Sequence, residues 1–148
     1  MSSEINNALV IALFSEVLAA DQVIRQRLSR VLPKGMELSH FSVLNHLARN
    51  MEERSPAQLA STFGVTRGAM SNTLSKLEWA GYVHIRPDWD DARRKMVAIS
   101  PAGRSARDQA ISAIAPLVND AVNDLGADEV RRALPVLRAL RAQMAAEH

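Results

Sequence analysis

Apolar positions near the N-terminus of the chain recur at helical spacing. These positions are Ile5, Leu9, Leu13, Val17, Ile24, Leu28 and Val31. Most of them are three or four residues apart. This spacing predicts a first helix over about residues 4–32, which Pro33 and Gly35 end. Other apolar residues in the same segment make the helix apolar on more than one face. We therefore expect it to be buried against its own chain or against a second subunit.

Two shorter helices follow, each with a recognisable start. Ser39 is a favourable N-cap for a second helix that ends near Asn50. Ser55-Pro56 opens a third helix, with a capping serine and a proline at the first helical position. Gly64 ends this helix, since glycine tolerates the left-handed conformation of a helix C-terminus.

A fourth helix is predicted from Arg67 to about Ala80, with Thr66 as its N-cap. Its inward residues are Met70, Leu74 and Leu77. The other face, together with the cap, is small, polar or basic: Thr66, Arg67, Gly68, Ser71, Asn72, Ser75 and Lys76. Short side chains permit close approach to a DNA major groove, where Asn reads adenine and Arg or Lys binds guanine or phosphate. Taken alone, the pattern favours an ordinary solvent-exposed helix face, because polar faces are common.

The pattern then changes from helical to extended. Residues 82–86 and 95–99 alternate as strands do, and the polar loop between them predicts a β-hairpin. Arg93, Arg94 and Lys95 place three adjacent cations at the end of the loop, and Asp91 can pair with Arg93. A hairpin beside a recognition helix is a wing, whose arginine can enter the narrow minor groove. The simpler alternative is a solvated turn with a weak surface ion pair.

Two further helices are predicted at the C-terminal end. Ser100-Pro101 begins a helix that runs to Leu125, with a kink expected at Pro116. After Gly126 comes a last helix, in which Pro135 should cause a kink or mark a later start.

Composition adds limits to this picture. Of 148 residues, 47% are hydrophobic and 23% charged, as in an ordinary globular protein, and no cysteine is present to form a disulfide or a thiol sensor. The chain has a net charge of +2. Residues 55–100 account for all of this excess, because they hold six basic and four acidic side chains. The longest apolar stretch, residues 8–20, is too short to span a bilayer, and the first residues lack a basic signal region. We expect a soluble cytoplasmic protein with no membrane partner.

The segment from Ser55 to Gly103 resembles the winged helix-turn-helix of the MarR family of transcriptional regulators. The matching stretches are residues 55–60, 63–71 and 77–83, then Asp91-Ala92-Arg93 and residues 97–103. The Asp-x-Arg wing and the Ser-x-x-Gly start of the next helix are the most specific of these. The flanking helices match the family layout, so the resemblance covers nearly the whole chain.

The resemblance implies a mainly α fold with a small β-hairpin wing. Its predicted parts are an N-terminal dimerisation helix (1–35), a winged helix-turn-helix DNA-binding domain (36–100) and C-terminal dimerisation helices (101–148). In the family the first and last helices interlock into a homodimer, whose two winged domains read a pseudo-palindromic operator in double-stranded DNA. The apolar terminal helices agree with this expectation.

Many family members bind a small aromatic or anionic effector between the dimer helices and the winged domain. The residues of this chain that could line such a cleft are Phe14, Arg25, His40, Phe41 and His46. Each has a simpler interpretation, as a core phenylalanine, a surface histidine or a capping histidine. The four histidines, His148 included, show no metal-ligand spacing, so we expect no metal and no cofactor.

The sequence therefore predicts a sequence-specific, dimeric DNA-binding regulator, most simply a repressor relieved by a small effector. The alternative is a winged-helix module that binds proteins and not DNA. An enzyme is the third class, and the sequence offers it no catalytic triad, paired carboxylates or phosphate loop. The aspartates at 88, 90 and 91 lie together on a hairpin tip, which is too exposed and local for a metal site. No catalytic residue is expected.

Overall fold

The computed structural model describes residues 2–146, with side chains from residue 6 onward, so Ile5 and His148 of the sequence predictions lie outside the described side chains. Within this range the chain forms six helices and one two-stranded hairpin: α1 (Ser2–Val31), α2 (Leu38–Asn50), α3 (Pro56–Phe63), α4 (Arg67–Trp79), β1 (Val83–Pro87), β2 (Lys95–Ile99), α5 (Pro101–Leu125) and α6 (Ala127–Ala145). The predicted fold class, mainly α with a small β-hairpin, is confirmed.

The chain divides into two compact units, one up to Ala113 and one from Ile114 onward. The core of the first unit comes from the apolar faces of α2, α3, α4 and the two strands, joined by the start of α5. Its most deeply buried large side chains are Val43, Leu44, Leu47, Leu59, Leu74, Leu77, Val83 and Val97. These residues fix α3, α4 and the hairpin relative to one another because each element contributes to one packed cluster.

The hairpin is tied to the helices by a short third strand segment. β1 and β2 pair antiparallel, with Ile85 opposite Val97. On the other edge of β2, Arg54 and Val97 exchange two backbone hydrogen bonds, of 3.1 Å and 2.7 Å. The alternation of the sequence did not reveal this bridge, because a single paired residue carries no period.

The two helices of the helix-turn-helix begin where the sequence predicted. The Ser55 hydroxyl accepts the Gln58 N–H at 3.1 Å, and the Gln58 side chain accepts the Ser55 N–H at 2.9 Å, which is a capping box. The Thr66 hydroxyl accepts the Ala69 N–H at 3.1 Å. Gly64 ends α3 with φ of 63°. Local capping therefore fixes the turn that precedes α4.

The predicted start of α2 at Ser39 is wrong. The N-cap is Glu37, and Ser39 lies in the first turn of the helix. The Glu37 N–H donates to Nδ1 of His40 at 3.2 Å. His40 thus satisfies the free backbone N–H of Glu37. This hydrogen bond favours a helix that begins after Glu37 over one that begins after Ser39.

The start of α5 is locked onto the hairpin. The Ser100 hydroxyl donates to the Gly81 carbonyl at 2.6 Å and accepts the Gly103 N–H at 2.9 Å. Gly103 packs so closely that a Cβ there would lie 2.1 Å from the Tyr82 carbonyl oxygen. The Ser-x-x-Gly sequence therefore lets a helix backbone contact the backbone of the turn between α4 and β1 directly.

The two prolines of the C-terminal helices lie inside them. α5 is assigned without interruption through Pro116. α6 begins at Ala127, directly after Gly126, and continues through Pro135, so the predicted later start at that proline is wrong. Alanine, leucine and arginine on both sides of Pro135 favour helix strongly enough to outweigh one missing N–H donor.

α1 leaves most of its apolar side chains exposed. These include Leu9, Val10, Ile11, Leu13, Leu18, Val23 and Ile24. By length and composition the helical segment Asn6–Val31 could cross a membrane, although residues 8–20 alone are too short. The same composition is found in core helices of soluble proteins, and Glu16, Asp21 and Arg25 interrupt the stretch.

Candidate nucleic-acid interface

α4 has one buried face and one free face. Met70, Leu74 and Leu77 point into the core, as the sequence predicted. The side chains predicted to read DNA are all exposed: Arg67, Ser71, Asn72, Ser75 and Lys76, with Gly68 exposed among them. Because the first turn of α4 follows the Thr66 cap, its outer residues form a fixed surface and not a mobile loop.

Space is open at the glycine of this surface. A Cβ added at Gly68 would meet no atom within 4 Å, and the residue has ordinary helical geometry. The fold of the chain itself therefore does not need glycine here. A glycine on an exposed helix face reduces helix stability, so this position lowers the stability of α4 without a packing requirement for glycine.

The wing (β1, residues 88–94 and β2) carries an organised ion pair. Asp91 Oδ1 accepts both the backbone N–H and the Nε–H of Arg93, each at 3.1 Å. Hydrogen bonding from Arg93 and the charge of Arg94 hold the pKa of the Asp91 carboxyl below its ordinary value. The Arg93 side chain is 91% exposed and Asp91 is 33% exposed, so the pair orients an outward-pointing guanidinium. This is the geometry predicted for the wing.

The wing cations and α4 border one basic cleft of about 540 Å³. The basic cleft is lined by Ser55, Pro56, Ala57, Gln58, Arg67, Ser71, Arg93, Arg94 and Lys95. No carboxylate is among these lining residues, so four cations from two elements share one depression. Such a surface attracts a phosphate backbone strongly, because the positive potentials of the four side chains add.

Lys76 lies apart from the basic cleft. Its Nζ is 4.0 Å from a carboxylate oxygen of Glu37, at the start of α2. Lys76 lines a different cavity of about 550 Å³, bordered by the α1–α2 turn, the end of α4 and the first part of α5. Arg67 and Ser71 therefore lie beside the wing cations, whereas Lys76 lies beside Glu37 at the start of α2.

That second cavity, here the α4–α5 cavity, includes one of the five residues predicted to line an effector cleft. His40 lines it, beside Lys76, Trp79 and Tyr82. Burial lowers the pKa of His40, against the opposing charge of Glu37. The imidazole, two aromatic side chains and the Lys76 ammonium group therefore share this cavity with the Glu37 carboxylate.

The other four predicted effector residues are not among the lining of the α4–α5 cavity. Phe14 is half-buried on α1, and Phe41 is half-buried on α2. Arg25 pairs with Asp21 on the surface of α1, with Nε 2.9 Å from Oδ1. His46 packs edge-on against Phe63, with ring centroids 5.5 Å apart. Their role in ligand binding stays a prediction.

Two exposed tryptophans were not predicted as site residues. Trp79 is 92% exposed at the end of α4, and Trp89 is 83% exposed in the wing. The sequence could have indicated Trp89, because it lies between Asp88 and Asp90 in a polar loop that contributes no apolar side chain to the core. Among the residues with described side chains, no group of three histidines or carboxylates could hold a metal ion.

These features define a winged helix-turn-helix protein with a basic cleft between its recognition helix and its wing. Residues 34–94 match the profile of the MarR family, and the predicted resemblance is confirmed: this segment is a MarR-family domain. A comparison with curated proteins found no match.

Solved structures extend the likeness over most of the chain. The transcriptional regulator BldR from Sulfolobus solfataricus is 27% identical, with a TM-score of 0.80 over 90% of this chain and 94% of that chain. A mutant MarR from E. coli complexed with operator DNA is 24% identical, with a TM-score of 0.74 over 88% and 94%. A MarR-family regulator from Rhodococcus sp. RHA1 is 20% identical, with a TM-score of 0.79 over 89% and 94%. The chain has the fold of MarR-family transcriptional regulators.

Proposed function

We propose that this protein is a dimeric cytoplasmic repressor that binds a pseudo-palindromic operator and releases it when a small aromatic or anionic effector binds. The observation that carries DNA binding is the basic cleft, where Arg67 of α4 meets Arg93, Arg94 and Lys95 of the wing. The operator complex of the E. coli MarR mutant, whose fold this chain shares, supports the same partner.

The cleft and the outer face of α4 supply different parts of recognition. Arg67, Arg94 and Lys95 of the cleft contact the phosphate backbone between the grooves, which gives affinity without sequence preference. Asn72, exposed on α4 beside Gly68, can reach base edges in the major groove. Arg93, oriented by Asp91, extends toward the adjacent minor groove, whose narrow A·T-rich form attracts arginine.

The dimer follows from the exposed apolar side chains of α1. A second copy is the occupant that a two-fold operator requires, since two recognition helices must lie about 34–36 Å apart to read successive major grooves. Burying Leu9, Ile11 and Leu18 against a partner would remove the largest exposed apolar side chains of α1 from water.

Electrophoretic mobility shift with the DNA upstream of its own gene tests the proposal. We expect a salt-sensitive complex of two protomers per site. Arg93→Ala should weaken binding and reduce the slope of log K against log salt by about one unit, because one phosphate-type contact is lost. Arg104→Ala, an exposed arginine outside the cleft, is the matched control and should bind like the parent.

Sequence reading is tested separately at Asn72. Asn72→Ala should change the base preference of binding at a cost of about 1–3 kcal/mol, because its contact is to a base edge. Binding selection from a random DNA pool measures this preference. If a folded dimer binds no duplex at low salt, or if both variants bind like the parent, the proposed reading surface is wrong.

Effector release is tested with aromatic carboxylic acids. One that occupies the α4–α5 cavity should raise the DNA concentration needed for half-binding, and Lys76→Gln should reduce that response because the cation facing the carboxylate is lost. A reporter gene placed behind the operator distinguishes a repressor, whose deletion raises expression, from an activator.

A further inference from the structure

The wing holds an apolar side chain that contributes nothing to the core. Trp89 is 83% exposed and stands between Asp88 and Asp90. Tryptophan is buried to a large extent in most folded proteins, since exposing an indole to water forfeits its hydrophobic stabilisation. An indole held on the surface of a binding element is therefore available to a partner.

Trp89 is held in place and does not move freely on the loop. The Cζ atom of Arg86 lies 4.6 Å from the ring centroid, a cation–π contact. Arg86 is fixed in turn, because its Nη2 lies 2.6 Å from Glu53 Oε1 and its Nη1 donates to the Pro87 carbonyl at 2.8 Å. Both Nη atoms of its guanidinium thus donate within the protein, while its flat face supports the indole.

Trp89 also lies on the same short loop as the wing arginine that points outward. The Asp88 N–H donates to the Arg94 carbonyl at 2.9 Å and closes the neck of the loop. Trp89 and Arg93 are the first and last residues inside this neck, so they leave it from opposite sides. Because both side chains are exposed on one short loop, a duplex that receives Arg93 in its minor groove can also reach Trp89.

We propose that Trp89 contacts DNA by packing its indole on the deoxyribose rim of the minor groove beside Arg93, and that Arg86 is its positioning residue. This assignment rests on the proposed function. The sugar C–H surface is the apolar part of a DNA backbone, and it suits an indole flanked by carboxylates. Asp88 and Asp90 repel phosphate, so the contact is apolar and not ionic.

The first test separates this contact from a charge contact. Trp89→Ala should weaken operator binding about five- to tenfold without changing the slope of log K against log salt, since no phosphate is neutralised. Trp89→Phe should retain most of the affinity. His84→Ala, an exposed residue of the same hairpin, is the control for general effects on the wing. Circular dichroism checks that each variant is folded.

The outcomes distinguish this assignment from the proposed function. Parent-like binding by Trp89→Ala overturns the role of Trp89 alone, and so does a reduced salt slope equal to that of Arg93→Ala. No operator binding by the parent protein would overturn the proposed function and this assignment together.

A second test observes the ring directly. Protein labelled with 5-fluorotryptophan should give two ¹⁹F resonances, one for each tryptophan. The resonance that is absent from the Trp89→Phe variant belongs to Trp89. Operator DNA should shift the Trp89 resonance and protect it from solvent. An unshifted and still accessible Trp89 in the bound complex would show that the indole does not contact DNA.

The role of Arg86 is tested by a double-mutant cycle. Arg86→Lys keeps the charge and removes the planar face that supports the indole. It should weaken operator binding in the parent and have little further effect in Trp89→Ala, because both changes remove one contact. Additive losses would mean that Arg86 acts on DNA independently, and would overturn its positioning role.

Discussion

The winged region (residues 36–103) and α1 are both rich in apolar residues, but the apolar side chains are buried in the first and exposed in the second. Leu44, Leu47 and Leu59 of the winged region are almost fully buried within their own chain. Leu9 and Leu18 of α1 are about two-thirds exposed, at 65% and 67%. Helical periodicity is equally clear in both. The contrast shows that an apolar pattern indicates which residues need to be buried. Whether they are buried within their own chain or against a second subunit depends on the tertiary and quaternary structure.

The largest expected effect compares one leucine from each region. Leu44→Ala should lower the free energy of unfolding by about 2–5 kcal/mol, because it leaves a cavity in a packed core. Leu18→Ala should change the unfolding of an isolated protomer by less than about 0.5 kcal/mol, since the side chain is already in water. Urea unfolding at low protein concentration measures both, and equal losses would mean that α1 is part of the same core.

The second prediction concerns a backbone contact in the winged region. Gly103→Ala should cost about 1–3 kcal/mol, because its Cβ would overlap the Tyr82 carbonyl and force α5 away from the hairpin. Gly68→Ala is the matched control, with open space around its Cβ. It should raise stability by about 0.5–1 kcal/mol through helix propensity. Thermal melts of both variants test the pair. A neutral Gly103→Ala would contradict the close contact.

These two glycines also show what the sequence could and could not predict. The caps at Ser55 and Thr66 involve neighbours three residues away, and local pattern found them correctly. Gly103 was visible only as part of a family motif, since the carbonyl that excludes a side chain there belongs to Tyr82, 21 residues earlier. Contacts between distant segments leave no local period.

The candidate site divides in the same way. The polar face of α4 and the Asp91–Arg93 pair were predictable, because helix geometry and a two-residue separation determine them. The Glu53–Arg86 contact joins residues 33 apart, and sequence reasoning missed it together with the exposed Trp89 that Arg86 supports. Similarly, Lys76 faces Glu37 because of where α2 packs, which a helical wheel does not show.

The third prediction tests whether a second copy covers α1. Leu18→Glu should weaken dimerisation about tenfold or more, because it places a charge in an apolar interface. Leu18→Met, which keeps an apolar side chain of similar volume, should dimerise like the parent. Analytical ultracentrifugation gives the two dissociation constants. A parent protein that stays monomeric at high concentration, or that partitions into lipid vesicles through α1, would refute the dimer interface.

The smallest expected effect lies at the exposed end of the winged region. The Arg93 hydrogen bonds lower the pKa of Asp91 in the folded state. Their contribution to stability is therefore present above the unfolded pKa of an aspartate, and is lost as pH falls through the lower folded value. Arg93→Ala should return the Asp91 pKa toward its ordinary range, which carboxyl NMR titration measures. An unchanged pKa would show that the pair does not form in solution.

The same titration in the DNA complex shows which partner Arg93 prefers. If Arg93 enters the minor groove while keeping its bond to Asp91, the pKa of Asp91 stays low and Asp91 acts as a support for the reading arginine. If the guanidinium leaves Asp91 for the DNA, the pKa rises, and the complex takes up a proton at acidic pH. The structure favours the first result, because Asp91 also accepts the Arg93 backbone N–H and its own carbonyl accepts the Arg94 N–H. These backbone bonds hold the carboxylate beneath the arginine whatever the side chain contacts.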